Sequence, residues 1–401
     1  MALEYRNPLE DELRATFESA NVAFGNELRD DDFELQKREL PADRVFGAYD
    51  DGQAVGLAAS IAFEMTIPGG VAPCGGVTYV GVMPSHRRRG VLTELMRAQL
   101  DDLHARGEPL AALWASEPVI YGRFGYGIAS PSASMEAEHA GFAFRDDPGP
   151  TGRTRMLTKN EARKLYPPIY ERARVQRHGM MSRSEARWDA RVNDPEHWRD
   201  GASPKYYVLI ELDGQGEAFA MYRIKEKWER GMPQSELMLV DAIATSTEAT
   251  RELWRYIFGV DLIARVTLWN YDPATPLFLM VKDARRLQLK LGDGIWLRLV
   301  DVGEALRQRS YAGEGSVVLE VKDDFCPWNE GRYRAGEDAG PTDDGAELEL
   351  SAADLASAYL GAFSFERLAA SGRVQERADG AIARATALFR TPLPPWCPEP
   401  F

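Results

Sequence analysis

Residues 77–105, VTYVGVMPSHRRRGVLTELMRAQLDDLHA, leave few choices for the fold around them. Thr78, Val80 and Val82 alternate with Tyr79, Gly81 and Met83, the two-residue period of a strand, and Pro84 ends it because its nitrogen cannot donate the next ladder bond. Leu92, Leu95, Met96, Leu100 and Leu103 then recur at three- and four-residue spacing, so a helix with one apolar stripe follows. A strand feeding directly into such a helix predicts an α/β layer with the loop SHRRRG at the helix N-terminus. Unbonded backbone N–H groups and the positive end of the helix dipole meet there, a seat for an anion such as a pyrophosphate. Arg87, Arg88 and Arg89 add charge, and Gly90 lets the backbone come close to a ligand. A solvated basic turn would read the same way, but its position between strand and helix favours the anion seat.

Arg87-x-x-Gly90 after a strand ending at Val82 resembles the acetyl-CoA signature Q/R-x-x-G-x-G/A of the GCN5-related N-acetyltransferases, with Leu92 where that pattern has Gly or Ala. The longer runs HRRRGVLTELM and ALWASEPVIYGRFGYG are similar to the Eis (enhanced intracellular survival) family of acetyltransferases, and the resemblance spans nearly the whole chain. It implies that Val80, Gly81 and Val82 hold a pantetheine arm like an added strand, while Arg88, Arg89, Gly90, Val91, Leu92 and Thr93 carry the pyrophosphate. Ser116 and Glu117, at the end of the next strand, would lie beside the cofactor.

Acyl transfer from a thioester to an amine needs a neutral amine, attack on the carbonyl and a proton for the departing thiolate. A phenol, with an ordinary pKa of about 10, can keep that proton until it is needed. Tyr121 and Tyr126 both qualify by residue type, and the resemblance selects Tyr121 as general acid. It assigns the general base to the terminal carboxylate of Phe401; by residue type Glu117 is the competing candidate, and Glu399 is expected to add negative charge for a cationic acceptor. A free terminal carboxylate has a pKa near about 3.5, so burial, a relaying water or a lowered amine pKa must help it. The implied acceptors are aminoglycosides, at one or more amines, with polyamines or protein lysines as alternatives. Asn26 and Gln36 depart from the acidic and aromatic residues expected in aminoglycoside-acetylating members. The implied assembly is a homo-oligomer, a hexamer of paired trimers. A non-catalytic acyl-CoA or lipid-binding module is the reading from a different class.

A length of 401 residues predicts two or three domains. The formal charge of −14 argues against generic nucleic-acid binding and suits a cationic small-molecule amine. Cys74, Cys326 and Cys397 are widely spaced and, like the five histidines, lack metal-ligand spacing, so no metal is expected. No apolar run approaches the roughly 20 residues of a membrane span, and no signal-like start is visible, so a cytoplasmic setting is expected.

In chain order, a helix at 9–20 and another reaching Leu40 precede a hairpin of 45–49 and 55–67 across AspAspGly, and with 77–143 these make a first α/β unit. Phe17, Phe24 and Phe33, interleaved with Glu18, Glu27, Asp31, Asp32 and Glu34, could line a polyamine pocket or be partly core. After the linker RDDPGPTGR, helices at 159–173 and 185–199, strands at 205–212, 217–226 and 236–244, a helix at 248–259 and a strand at 262–269 repeat the order of the first unit. The second loop, ThrSerThrGluAla, lacks Arg-x-x-Gly, which predicts one cofactor site per chain. From about 292 the pattern changes to short strands at 295–301, 316–322, 331–336 and 346–350 with helices between, an α+β pattern that the resemblance identifies with sterol carrier proteins. The expected architecture is therefore α/β (α+β), with tandem acetyltransferase-like domains at 1–150 and 151–291, the second degenerate, and a sterol-carrier-like domain at 292–401. The ending TPLPPWCPEPF is proline-stiffened and apolar, so it is expected to dock.

Overall fold

The computed structural model describes residues 3–401. Its contacts divide the chain into two units, one of Met1–Ser130, Ile295–Pro395 and Glu399–Phe401, the other of Pro131–Gly294 and Trp396–Pro398.

The first unit opens with β1 (Glu4–Arg6), α1 (Leu13–Ala23), α2 (Asp30–Glu39), β2 (Val45–Asp50), β3 (Gln53–Ile67), β4 (Gly70–Val82), α3 (Val91–Ala105), β5 (Leu110–Trp114), α4 (Pro118–Tyr121) and β6 (Gly127–Ile128). The second unit follows with β7 (Pro131–Glu138), β8 (Arg153–Leu157), α5 (Lys159–Arg174), α6 (Glu185–Val192), β9 (Tyr206–Leu212), β10 (Gln215–Lys225), β11 (Trp228–Glu229), β12 (Met232–Pro233), β13 (Ser235–Ala244), α7 (Thr247–Ile257), β14 (Ile263–Tyr271), α8 (Leu277–Met280) and β15 (Leu289–Asp293). The chain returns to the first unit with β16 (Ile295–Leu299), α9 (Val302–Gln308), β17 (Ser316–Lys322), β18 (Gly331–Gly336), β19 (Gly340–Pro341), β20 (Leu348–Ser351), α10 (Ala352–Tyr359), α11 (Phe365–Ala370), β21 (Val374–Glu376) and α12 (Ala381–Phe389).

Two strands sit elsewhere than chain order predicts. The first unit's seven-stranded sheet runs β1-β2-β3-β4-β5-β16-β6, and the second unit's runs β15-β7-β14-β13-β10-β9-β8. Thus β7, read from sequence with the first unit, pairs with β14 and β15, and β16, read with the third, lies between β5 and β6. Alternation predicts that a segment is a strand, but partner choice rests on long-range packing that a local pattern cannot encode. The sterol-carrier-like portion forms its own five-stranded sheet, β19-β18-β17-β20-β21.

The stripe on α3 is as expected in Leu95, Met96, Leu100 and Leu103, all fully buried, but Gln99 is fully buried among them and Leu92 is only half-buried. The aromatic and acidic stretch divides. Phe17 and Phe33 are core residues meeting edge to face at 6.0 Å, Phe24 is exposed, and Asp30, Asp31 and Asp32 occupy the first turn of α2. Trp188 and Trp254 are buried, whereas Trp198, Trp228 and Trp269 are exposed. Among the described residues no helix is long and apolar enough to cross a membrane, and the three cysteines are free and buried.

Candidate active site

The loop after β4 is built by its own side chains. His86 Nε2 lies 3.0 Å from Asp50 Oδ2, and Ser85 Oγ is 2.9 Å from His86 Nδ1. Arg89 Nη1 reaches the same Asp50 oxygen at 3.5 Å. The His86 hydrogen bond, with help from Arg89, holds the Asp50 carboxyl below its usual range. Arg87 donates to the carbonyls of Val82 and Ala23, so it ties the loop to the C-terminal end of α1. Arg88 alone of the three arginines is exposed with no hydrogen-bond or ion-pair partner among the described residues. Of the three arginines expected to add charge, Arg87 and Arg89 are engaged in shaping the loop, and His86 faces Asp50.

Gly90 is the N-cap of α3 at φ 83°, and no side chain caps the helix. The first bonds of α3 run from the amides of Thr93 and Glu94 to the Gly90 carbonyl. Those of Val91 and Leu92 therefore stand outside the ladder, beside the unpartnered Arg88. A Cβ on Gly90 would meet no atom within 4 Å, so the positive φ and open space, not internal crowding, call for glycine. The corresponding helix of the second unit differs. Ser246 caps α7 by accepting from the Ala249 amide at 3.1 Å, and Glu248 follows in its first turn. That terminus is already satisfied and repels an anion.

Beside the loop, the sheet opens. β4 and β5 pair in parallel through Cys74, Gly75 and Gly76, facing Leu110, Ala111 and Ala112, and part beyond them. On the other edge β4 stays paired with β3, with a register shift that sets Tyr79 and Val80 against Ala58. Tyr79 takes φ 52°, a strained value for an aromatic residue, and its ring meets Phe17 edge to face at 5.3 Å. The alternation predicts a regular strand; the structure has a bulge at Tyr79 and Val80, and Val80, Gly81 and Val82 lie beyond the end of pairing with β5.

Tyr121 ends α4, only 6% exposed, with its ring 6.0 Å from that of Tyr126. Burial pushes its phenol above the ordinary value, against a hydrogen bond from Ser116 that lowers it, and Glu117 adds a further upward push. Ser116 and Glu117 are themselves exposed. Tyr126 is almost fully buried with an unpartnered hydroxyl, and burial raises its phenol further.

The tail docks. In the first unit, Trp114 Nε1 donates to the Glu399 carbonyl at 2.8 Å, and the Phe401 ring lies 5.2 Å from that of Phe63 and against Gly76. Gly76 is the last β4 residue paired with β5, and Trp114 the last residue of β5, so residues 399–401 sit where the two strands part. Glu399, expected to add negative charge toward a cationic acceptor, is fully buried. In the second unit, Trp396 packs into a core with Tyr166 and Trp188, and Asn270 binds both the Trp396 indole and the Cys397 carbonyl. Sequence reasoning gives neither Trp114 nor Asn270 a role: Trp114 lies inside the ALWASEPVIYGRFGYG run without being singled out, and Asn270 lies in no motif. Among the described residues no group of His, Cys, Asp or Glu could hold a metal ion.

Comparison with known proteins fits this geometry. Residues 4–129 and 179–299 each match an acetyltransferase (GNAT) domain, and residues 302–398 match a sterol carrier protein domain. The chain is 39% identical to an uncharacterized N-acetyltransferase of Streptomyces avermitilis over 410 residues, covering all of both chains. It is 32% identical over 414 residues to the N-acetyltransferase Eis of Mycobacterium tuberculosis, covering 98% of each. The crystal structure of Eis1 from Mycobacterium abscessus is similar over the full length of both chains, with a TM-score of 0.88 at 32% identity. A free helix terminus beside an opened strand pair fits acetyl-CoA, and the chain belongs to the Eis family of GCN5-related N-acetyltransferases, enzymes that take their acetyl group from acetyl-CoA.

Proposed function

We propose that the protein acetylates amines of a polycationic acceptor, aminoglycosides at one or more positions, by direct transfer from acetyl-CoA. Val80, Gly81 and Val82 would hold the pantetheine arm, and Arg88, Arg89, Gly90, Val91, Leu92 and Thr93 the pyrophosphate, with Ser116 and Glu117 beside the thioester. The amine nitrogen attacks the thioester carbonyl, the C–S bond breaks, the Tyr121 phenol protonates the thiolate, and the Phe401 carboxylate takes the proton the amine loses. The observation that carries this reading is the seating of residues 399–401 at the parting of β4 and β5. The raised phenol of Tyr121 supports its role, because it favours the protonated form an acid needs. On this reading residues 1–150 bind the cofactor, 151–291 form the degenerate copy, and 292–401 support the site and end in the base.

The assay is thiol release from acetyl-CoA with aminoglycosides, polyamines and a lysine peptide. Release with aminoglycosides is expected; release only with polyamines or the peptide would move the acceptor class, and none with any would refute the proposal. Tyr121→Phe and deletion of Phe401 are each expected to cut turnover while sparing acetyl-CoA affinity. A larger loss in Glu117→Gln than on deleting Phe401 would give the base role to Glu117. The exposed Trp228, Met232, Trp269 and Leu291 support burial against further copies in a hexamer, which light scattering checks. Use of acetyl-CoA, an intracellular metabolite, supports a cytoplasmic setting.

A further inference from the structure

Arg298 is the polar residue of an otherwise apolar strand, IWLRL, and its side chain is fully buried. A buried guanidinium is costly unless its donors are met. Nη2 pairs with Asp323 Oδ2 at 2.5 Å, and Nη1 points to the Gly125 carbonyl at 3.4 Å. Gly125 has φ 79°, and a Cβ there would stand 1.7 Å from Arg298 Nη1, so the guanidinium lies directly against this stretch of backbone. That backbone belongs to the turn carrying Tyr121. The Gly125 amide donates to Gly122 and the Tyr126 amide to the Tyr121 carbonyl, at 3.1 and 3.3 Å.

Asp323 does more than neutralise Arg298. Its Oδ1 accepts from the amides of Phe325 and Cys326 at 3.3 and 3.0 Å, and its Oδ2 accepts from Asn329 Nδ2 at 3.1 Å. The loop so formed brings the Phe325 ring edge to face against Phe124 at 4.9 Å. One carboxylate therefore bonds both the guanidinium that lies against Gly125 and the loop whose Phe325 ring meets Phe124.

We infer that Arg298, held by Asp323, is a positioning residue for the Tyr121 phenol, and that the sterol-carrier-like portion contributes to acetyl transfer through this mould. The inference rests on Tyr121 acting as general acid. A pair serving stability alone could be exchanged for apolar residues with little loss. A forked donor pressed on a glycine backbone instead fixes where the turn sits, and small misplacements of a reacting group cost rate steeply.

The test is a double-mutant cycle on the full-length protein, with Arg298→Lys in the wild-type and Tyr121→Phe backgrounds, reading kcat, acceptor KM, acetyl-CoA Kd by calorimetry, and thermal unfolding. In the wild-type background kcat is expected to fall about 10- to 100-fold with acetyl-CoA Kd unchanged, and in Tyr121→Phe the same substitution should cost almost nothing further. Asp323→Asn keeps an acceptor for the loop amides but removes the charge, and it gives the same readout if Arg298→Lys fails to fold. Wild-type kcat in the folded variants, or equal losses in both backgrounds, overturns the inference while the Tyr121 assignment stands. Wild-type turnover in Tyr121→Phe alone overturns both.

Discussion

Replacing Gly90 with alanine separates cofactor binding from helix strain, because the same helix carries its own control. Gly90 and Gly107 flank α3 at φ 83° and 71°, and a Cβ at either meets nothing within 4 Å. Each alanine therefore introduces the same left-handed strain, about 1–2 kcal/mol, and no clash within the protein. In a chain of this size that lowers the melting temperature by a few degrees for either variant. Only at Gly90 does the methyl group stand beside the open amides of Val91 and Leu92 and the unpartnered Arg88. Losing one charge-assisted bond there, worth about 1.5–3 kcal/mol, raises the acetyl-CoA Kd roughly 10- to 100-fold. Titration calorimetry with acetyl-CoA and a thermal melt on Gly90→Ala and Gly107→Ala give both quantities. Equal affinities in the two variants, with equal loss of stability, would show that the pyrophosphate does not rest on the start of α3.

Because burial raises the Tyr121 phenol above its ordinary value, the acid form is present below that raised pKa and lost above it. The pH profile of kcat/KM should therefore rise as the acceptor amine loses its proton and show no falling limb below about pH 10; a falling limb near neutrality that disappears in Tyr121→Phe would contradict this. Ser246→Ala removes the cap of α7 and should cost about 1 kcal/mol of stability without creating a second acetyl-CoA site, and calorimetry showing two sites per chain would refute the account of the second unit.

The sequence by itself determined the local elements and the chemistry of the loop. Strand period, Pro84 and the α3 stripe placed the SHRRRG loop at a helix N-terminus, and the boundaries of β17 and β18 were legible from alternation alone. These signals are short-range, set by the backbone and by neighbours within a turn or two. Tertiary structure decided which sheet took β7 and β16, that Tyr79 would yield to a bulge, and that Arg87 and Arg89 would be bound by Ala23 and Asp50 while Arg88 stayed free. It also placed Arg298 under Gly125 and Trp114 on the Glu399 carbonyl, contacts bridging 173 and 285 residues of chain. Pairings at such separation depend on the packing of the whole core, and no periodicity within a segment specifies the partner that will come to meet it.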